Sequence, residues 1–74
     1  MKNSKLVTGF GVNVRARREE MGISQEELAF RSKVHRTAIT HLERGTRAST
    51  LVTVEKIAKA LGVQPGDLMP KIKL

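Results

Sequence analysis

The side chains with chemistry to offer cluster in one short stretch, "HRTAITHLERG", residues 35–45. Two histidines, two arginines, two threonines and a glutamate surround Ile39 and Leu42, which stand three apart, as on one face of a helix. If that apolar pair is buried, His35, Arg36, Thr37, Thr40 and His41 point elsewhere, with proton donors and acceptors for a polar partner. Other chemistries fit poorly. His35 and His41 are six apart rather than at the i,i+4 spacing of a helical zinc pair, and the chain has no cysteine. Ser24 or Ser32 with His41 and Glu43 would be the parts of a hydrolase, but no nucleophile elbow supports them. The expectation is a protein with no catalytic or metal site, no cofactor and no small-molecule ligand.

The charge balance names the partner class. Fourteen Lys and Arg against seven Asp and Glu give a formal charge of +7 and an isoelectric point near 10.6. A domain this basic points to a polyanion, and nucleic acid is the commonest. Two phenylalanines without Tyr or Trp are too few for a platform that stacks single-stranded bases. Seventy-four residues make one small domain, and chains of this size often gain stability by dimerising. The lack of cysteine suits a reducing compartment. No apolar run reaches membrane-spanning length and "MKNSKLVTGF" lacks a signal-peptide core, so a soluble, cytoplasmic protein is expected.

The positioning elements are all helical. Phe10 and Val14 open a first helix from Thr8 to about Glu20 or Met21, ended by Gly22. "SQEEL" then reads as a capping box, Ser24 with Glu27, starting a second helix that runs to about Arg31 and buries Leu28 and Ala29. After a break at "SKV", a third helix spans roughly 36–43 and stops at Gly45. Leu51, Val54, Ile57, Ala58 and Leu61 form the buried stripe of a fourth, about 51–61, ended by Gly62. "QPGDLM" predicts a short fifth helix with Pro65 at its first position and Pro70 beyond its end. The fold class is therefore all-α, a compact bundle of about five short helices. The chain divides into a polar tail over 1–7, a domain over 8–70 and a C-terminal tail over 71–74. The short connection between the second and third helices, with the small Ala29, lets the two cross steeply as a helix-turn-helix.

The residues that carry this arrangement also carry a resemblance. "SQEELA", then "HRTAITHLERG", then "TLVTVEKIAKALGV", in that order over roughly residues 10–69, resemble the Cro/C1-type (Xre-like) helix-turn-helix domain of the lambda repressor-like fold. On so short a chain "HRTAITHLERGTR" is most similar to the controller proteins of restriction-modification systems. The resemblance implies a dimeric transcriptional regulator that reads a palindromic operator in double-stranded DNA through its third helix, with RNA polymerase as a further partner. It places Arg36, Thr37, Ala38, Thr40 and His41 against bases, and Gln25, His35, Arg44 and Arg47 on the phosphate backbone. Chemistry agrees at Arg36, since a guanidinium binds guanine O6 and N7 bidentately. It agrees at Gln25 too, because an amide at a helix N-terminus reinforces the pull on an anion. Glu43 would repel phosphates, and the family pattern pairs it with Arg18 in a structural bridge.

Three residues depart from the family pattern. Lys33 stands where the turn usually has glycine, His35 replaces the usual Ser, Thr or Asp cap, and Arg17 occupies an apolar position of the first helix. Arg15, Arg31, Lys56 and Lys59 read as solvated charges. Val63, Leu68, Met69, Ile72 and Leu74 exceed what a short terminal helix needs for its own core. They either cap the bundle or form an isologous dimer interface, and the resemblance favours the interface, especially through Leu68 and Met69. Two rival readings use the same helices: the antitoxin of a toxin-antitoxin pair, and a protein-protein adaptor that no longer binds DNA. Acidic or apolar residues along 36–41 would favour the adaptor, and the chain has neither pattern there.

Overall fold

A computed structural model describes residues 4–71, so Ile72 and Leu74 lie outside the described residues. Four α-helices follow one another: α1 (Lys5–Glu20), α2 (Gln25–Ser32), α3 (Arg36–Arg44) and α4 (Leu51–Leu61). The expected fifth helix is a single 3-10 turn, Pro65–Leu68, so the bundle has four α-helices rather than about five. The turn stops because Met69 is extended (φ −81°, ψ 135°), as the ring of the following Pro70 favours. Among the described residues there is no strand, and no helix is long and apolar enough to cross a membrane.

Local chemistry sets the helix ends. The Ser4 hydroxyl accepts from the Val7 amide at 3.0 Å, so α1 starts at Lys5, and residues 5–7 form its first turn instead of a tail. Ser24 caps α2 in the same way, accepting from Glu27 N at 3.0 Å. The reciprocal half of the expected capping box does not form, because the Glu27 carboxylate accepts from Arg31 Nε at 2.8 Å. His35 takes over the cap of α3: its Nδ1 accepts from Thr37 N at 3.1 Å. Between α2 and α3, Lys33 adopts the left-handed conformation (φ 58°), the one non-glycine to do so among the described residues. This lets the chain reverse in three residues and swing α3 across α2.

One core unites the elements. Phe10 and Val14 of α1 meet Leu28 of α2, Ile39 and Leu42 of α3, and Val54, Ile57, Ala58 and Leu61 of α4, with Leu68 closing the end. Ala29 is half-buried, and Arg17 snorkels so that its Nε donates to the Leu61 carbonyl at 3.1 Å. The stripe of α4 is shorter than its spacing indicates. Leu51 is 84% exposed, because at the first position of α4 it projects past the core that begins at Val54.

The α1–α3 crossing depends on a missing side chain. A Cβ on Gly11 would lie 2.0 Å from the carbonyl oxygen of Leu42, so the two backbones approach as only glycine permits. Gly11→Ala must separate the helices and is expected to cost at least about 1–3 kcal/mol of unfolding free energy. Lys33→Gly is expected to add about 1 kcal/mol by relieving the left-handed residue. Urea unfolding followed by circular dichroism checks both signs.

Candidate nucleic-acid interface

Burial of Ile39 and Leu42 (0% and 2% exposed) orients α3 and turns its other face outward. On that face Arg36 and Thr37 are exposed, while Ala38, Thr40 and His41 are half-buried. Arg36 Nη1 lies 3.1 Å from Glu26 Oε1 of α2, in a pair whose members are 59% and 72% exposed. His41 Nδ1 sits 3.2 Å from Thr46 Oγ1, which draws its ring toward the loop after α3. The capping bond fixes the chemistry of His35: with Nδ1 accepting, the neutral ring carries its proton on Nε2 and presents an N–H donor. Beside it, between the starts of α3 and α4, a cleft of about 350 Å³ is lined by His35, Thr37, Ala38, Arg47, Ser49, Thr50 and Thr53.

Behind this face runs a chain of hydrogen bonds. Arg18 of α1 donates from Nε to Glu43 Oε2 at 2.8 Å and from Nη2 to Oε1 at 3.1 Å, a bidentate bridge. Its Nη1 donates to the Ile23 carbonyl at 2.9 Å, tying the α1–α2 connection to the same point. The side chains are 12% and 3% exposed, so water screens them little. The hydrogen bond with Glu43 holds the Arg18 guanidinium above its ordinary pKa, outweighing the opposite effect of burial. The sign follows: this contribution is present below the ordinary arginine pKa and is lost only as pH rises through the still higher folded value. Gln25 is drawn into the chain. Its Nε2 donates to Glu43 Oε1 at 3.1 Å, and its Oε1 accepts from Thr40 Oγ1 at 3.1 Å.

The arginines sort themselves by partner. Arg15, Arg17, Arg18, Arg31 and Arg36 each face a glutamate: Glu19, Glu20, Glu43, Glu27 and Glu26 respectively. Among the described residues, Arg44 and Arg47 are the arginines with no carboxylate within 4 Å, and both are exposed at the end of α3 and just beyond it.

This layout matches known proteins. A family model described as helix-turn-helix, HTH_3, matches residues 14–68. The chain belongs to that Xre-like helix-turn-helix family. It is 54% identical over 61 residues to the control protein C.BamHI of Bacillus amyloliquefaciens, covering 81% of this chain and 75% of that one. Among solved structures, the restriction-modification controller protein C.AhdI from Aeromonas hydrophila superposes with a TM-score of 0.81 at 40% identity, over 84% of this chain and 94% of that one. The controller protein C.Esp1396I, solved as a tetramer with its natural 35-base-pair operator, gives 0.81 at 34% identity, over 88% and 86%. These relatives are regulators, not enzymes.

Within this helix-turn-helix domain the terminal apolar residues are disposed differently from expectation. Leu68 is 2% exposed and belongs to the chain's own core, so it has no surface to offer a partner copy. Val63 and Met69 are half-buried against that core, and Ile72 lies outside the described residues. Among the described residues the exposed large apolar side chains are elsewhere: Leu51 (84%), Phe30 (81%), Val52 (59%), Val12 (57%) and Leu6 (45%). Leu51 extends the apolar stripe of α4, so its spacing alone marks it as core, and Glu26 carries no sequence mark beyond that of a helix-opening acid.

The bridge and the surface pair should differ sharply in weight. Glu43→Ala strands a buried guanidinium and is expected to lower stability by about 3–5 kcal/mol. Glu26→Ala removes an exposed pair and is expected to change it by about 0–1 kcal/mol. Chemical denaturation of the two variants side by side makes the comparison.

Proposed function

We propose that this chain is the controller protein of a restriction-modification system, a cytoplasmic transcriptional regulator that binds a two-fold symmetric operator in double-stranded DNA as a homodimer. The observation that carries the DNA-binding reading is the division of the arginines. Acids pair with Arg15, Arg17, Arg18 and Arg31 on α1 and α2 and with Arg36 at the start of α3, and among the described residues leave Arg44 and Arg47 bare at and beyond its end. Bare guanidiniums at the edge of a recognition helix suit phosphates. In this reading α3 lies in the major groove, with Arg36, Thr37, Ala38, Thr40 and His41 toward the bases. Arg44, Arg47, the Nε2–H of His35 and the second N–H of Gln25 hold the backbone. The exposed Arg36–Glu26 pair holds its guanidinium near the groove at little energetic cost and yields when a guanine edge competes for it. At a promoter, RNA polymerase is the further protein partner.

The homodimer forms, in this reading, over the apolar surface of the first turns of α1 and α4. A groove lined by Leu6, Val7, Phe10, Leu51, Val54 and Met69, together with Arg47, Ala48 and Ser49 of the loop before α4, lies there, and Leu51 is its most exposed apolar member. Of the C-terminal apolar residues, Met69 borders this groove. An isologous contact would seat each Leu51 against the partner copy, and paired recognition helices then address half-sites about 34 Å apart, one turn of DNA.

Two measurements test these assignments. Selection from a random duplex pool is expected to return a two-fold symmetric motif for the wild type. Arg36→Ala should lose discrimination at particular bases, by roughly 1–3 kcal/mol per contact, whereas Arg44→Ala should weaken all sequences alike and reduce the salt slope by about one. Identical scaling of specific and non-specific binding in both variants would sink the division of roles. Leu51→Glu should sediment as a monomer while keeping the helical spectrum; a dimer of undiminished affinity would place the interface elsewhere.

A further inference from the structure

We propose that Thr40 meets DNA only as a hydrogen-bond acceptor, and so reads the exocyclic amino group of adenine or cytosine on the strand it faces. The proposal rests on the DNA-reading assignment above and adds the chemical polarity of one contact. An ordinary threonine hydroxyl carries one proton and two lone pairs and rotates to suit its surroundings. It can donate to guanine O6, thymine O4 or a phosphate as readily as it accepts from an amino group. Thr40 has lost that freedom.

The constraint begins at Arg18, whose guanidinium has donors and no acceptor. It faces Glu43, whose ionised carboxylate has acceptors and no donor. The amide of Gln25 has one end of each kind and must turn its NH2 toward Glu43 Oε1, 3.1 Å away. The flipped amide would set two oxygens face to face at that distance, against a carboxylate side chain only 3% exposed. Gln25 Oε1 is therefore the atom 3.1 Å from Thr40 Oγ1, and a carbonyl oxygen only accepts. The single proton of Thr40 is committed inward, leaving lone pairs for the outer face. In the major groove the base-edge N–H donors are adenine N6 and cytosine N4, and phosphate oxygens offer none. Thr40 thus favours A or C over G or T at its step and takes no part in backbone binding. Thr37 is the contrast: no hydrogen bond engages its hydroxyl within the described residues, so either polarity is open to it. Gln25 and Glu43 act here as positioning residues, setting the sign of a contact they need not touch.

The experiment uses the operator that wild type selects from the random pool. Adenines of one half-site are replaced singly by purine, which lacks the N6 amino group, and cytosines by 2-pyrimidinone, which lacks the N4 amino group. One replacement is expected to weaken wild-type binding about three- to tenfold, as loss of a single hydrogen bond does. Thr40→Val, nearly isosteric, should bind the intact half-site more weakly and lose nothing further at that replacement. Gln25→Lys sets a donor between Glu43 and Thr40, releases the hydroxyl proton outward, and should shift the selected base there from A or C to G or T. If no amino deletion weakens the wild type beyond twofold, or if the step relaxed by Thr40→Val carries G or T in the wild-type motif, the polarity assignment is overturned and DNA reading stands. The base-analogue arm uses the wild-type chain and does not depend on how the variants fold. A wild type that enriches no motif removes the DNA-reading assignment and this inference together.

Discussion

The bidentate bridge between Arg18 and Glu43 is the contact on which the rest of the arrangement depends. It joins α1 to α3, while Arg18 also holds the connection into α2 through the Ile23 carbonyl. As a source of stability such a pair is ambiguous, because removing two charges from water offsets much of their attraction. As a constraint it is strong: planar forks tolerate little rotation, so the bridge sets the angle at which α3 leaves the bundle. Gly11 makes the contact possible by letting the α1 backbone lie against Leu42 and Glu43. A hydrophobic core alone would tolerate some sliding of α3; a buried fork and a bare glycine backbone do not.

Electrostatics then separates two faces of a strongly basic domain. Five glutamates are consumed by five arginines, most of them in exposed helical pairs worth little individually. Their collective effect is one of placement. Among the described residues the arginines of α1 and α2 are matched by acids, whereas those at the end of α3 and in the loop after it are not. Steering by exposed charge of this kind weakens as salt screens it. The operator-bound tetramer of C.Esp1396I, 34% identical to this chain, shows a related protein in use on DNA.

Much of the architecture was legible from local patterns. Ser24, Gly45 and Gly62 mark helix ends through capping and left-handed backbone, which depend on residues within one turn, and α4 runs over the residues its spacing indicated. Errors fell where a local pattern competes with a longer-range circumstance. Leu51 continues an apolar period yet has no core above it. Glu27 matches a capping box, but Arg31 four residues on offers it an opposite charge. Pro65 starts a helix-like turn that Pro70 stops too soon.

Residue types and their spacing were enough for the all-helical class, the turn between α2 and α3 and the basic balance, and the resemblance to Xre-like domains for the helix that turns a polar face outward. These follow from spacing and residue type, which act over a few residues at a time. It took the assembled fold to show that Leu68 is core and Leu51 surface, that Arg36 rests against Glu26 while Arg44 and Arg47 meet no acid among the described residues, and that Gln25 and Thr40 are joined to the bridge. Each of those facts involves side chains brought together from separate helices. Burial, ion pairing and the polarity of a hydrogen bond are properties of neighbours in space, and a helical period names one face of one helix without saying what will lie across from it.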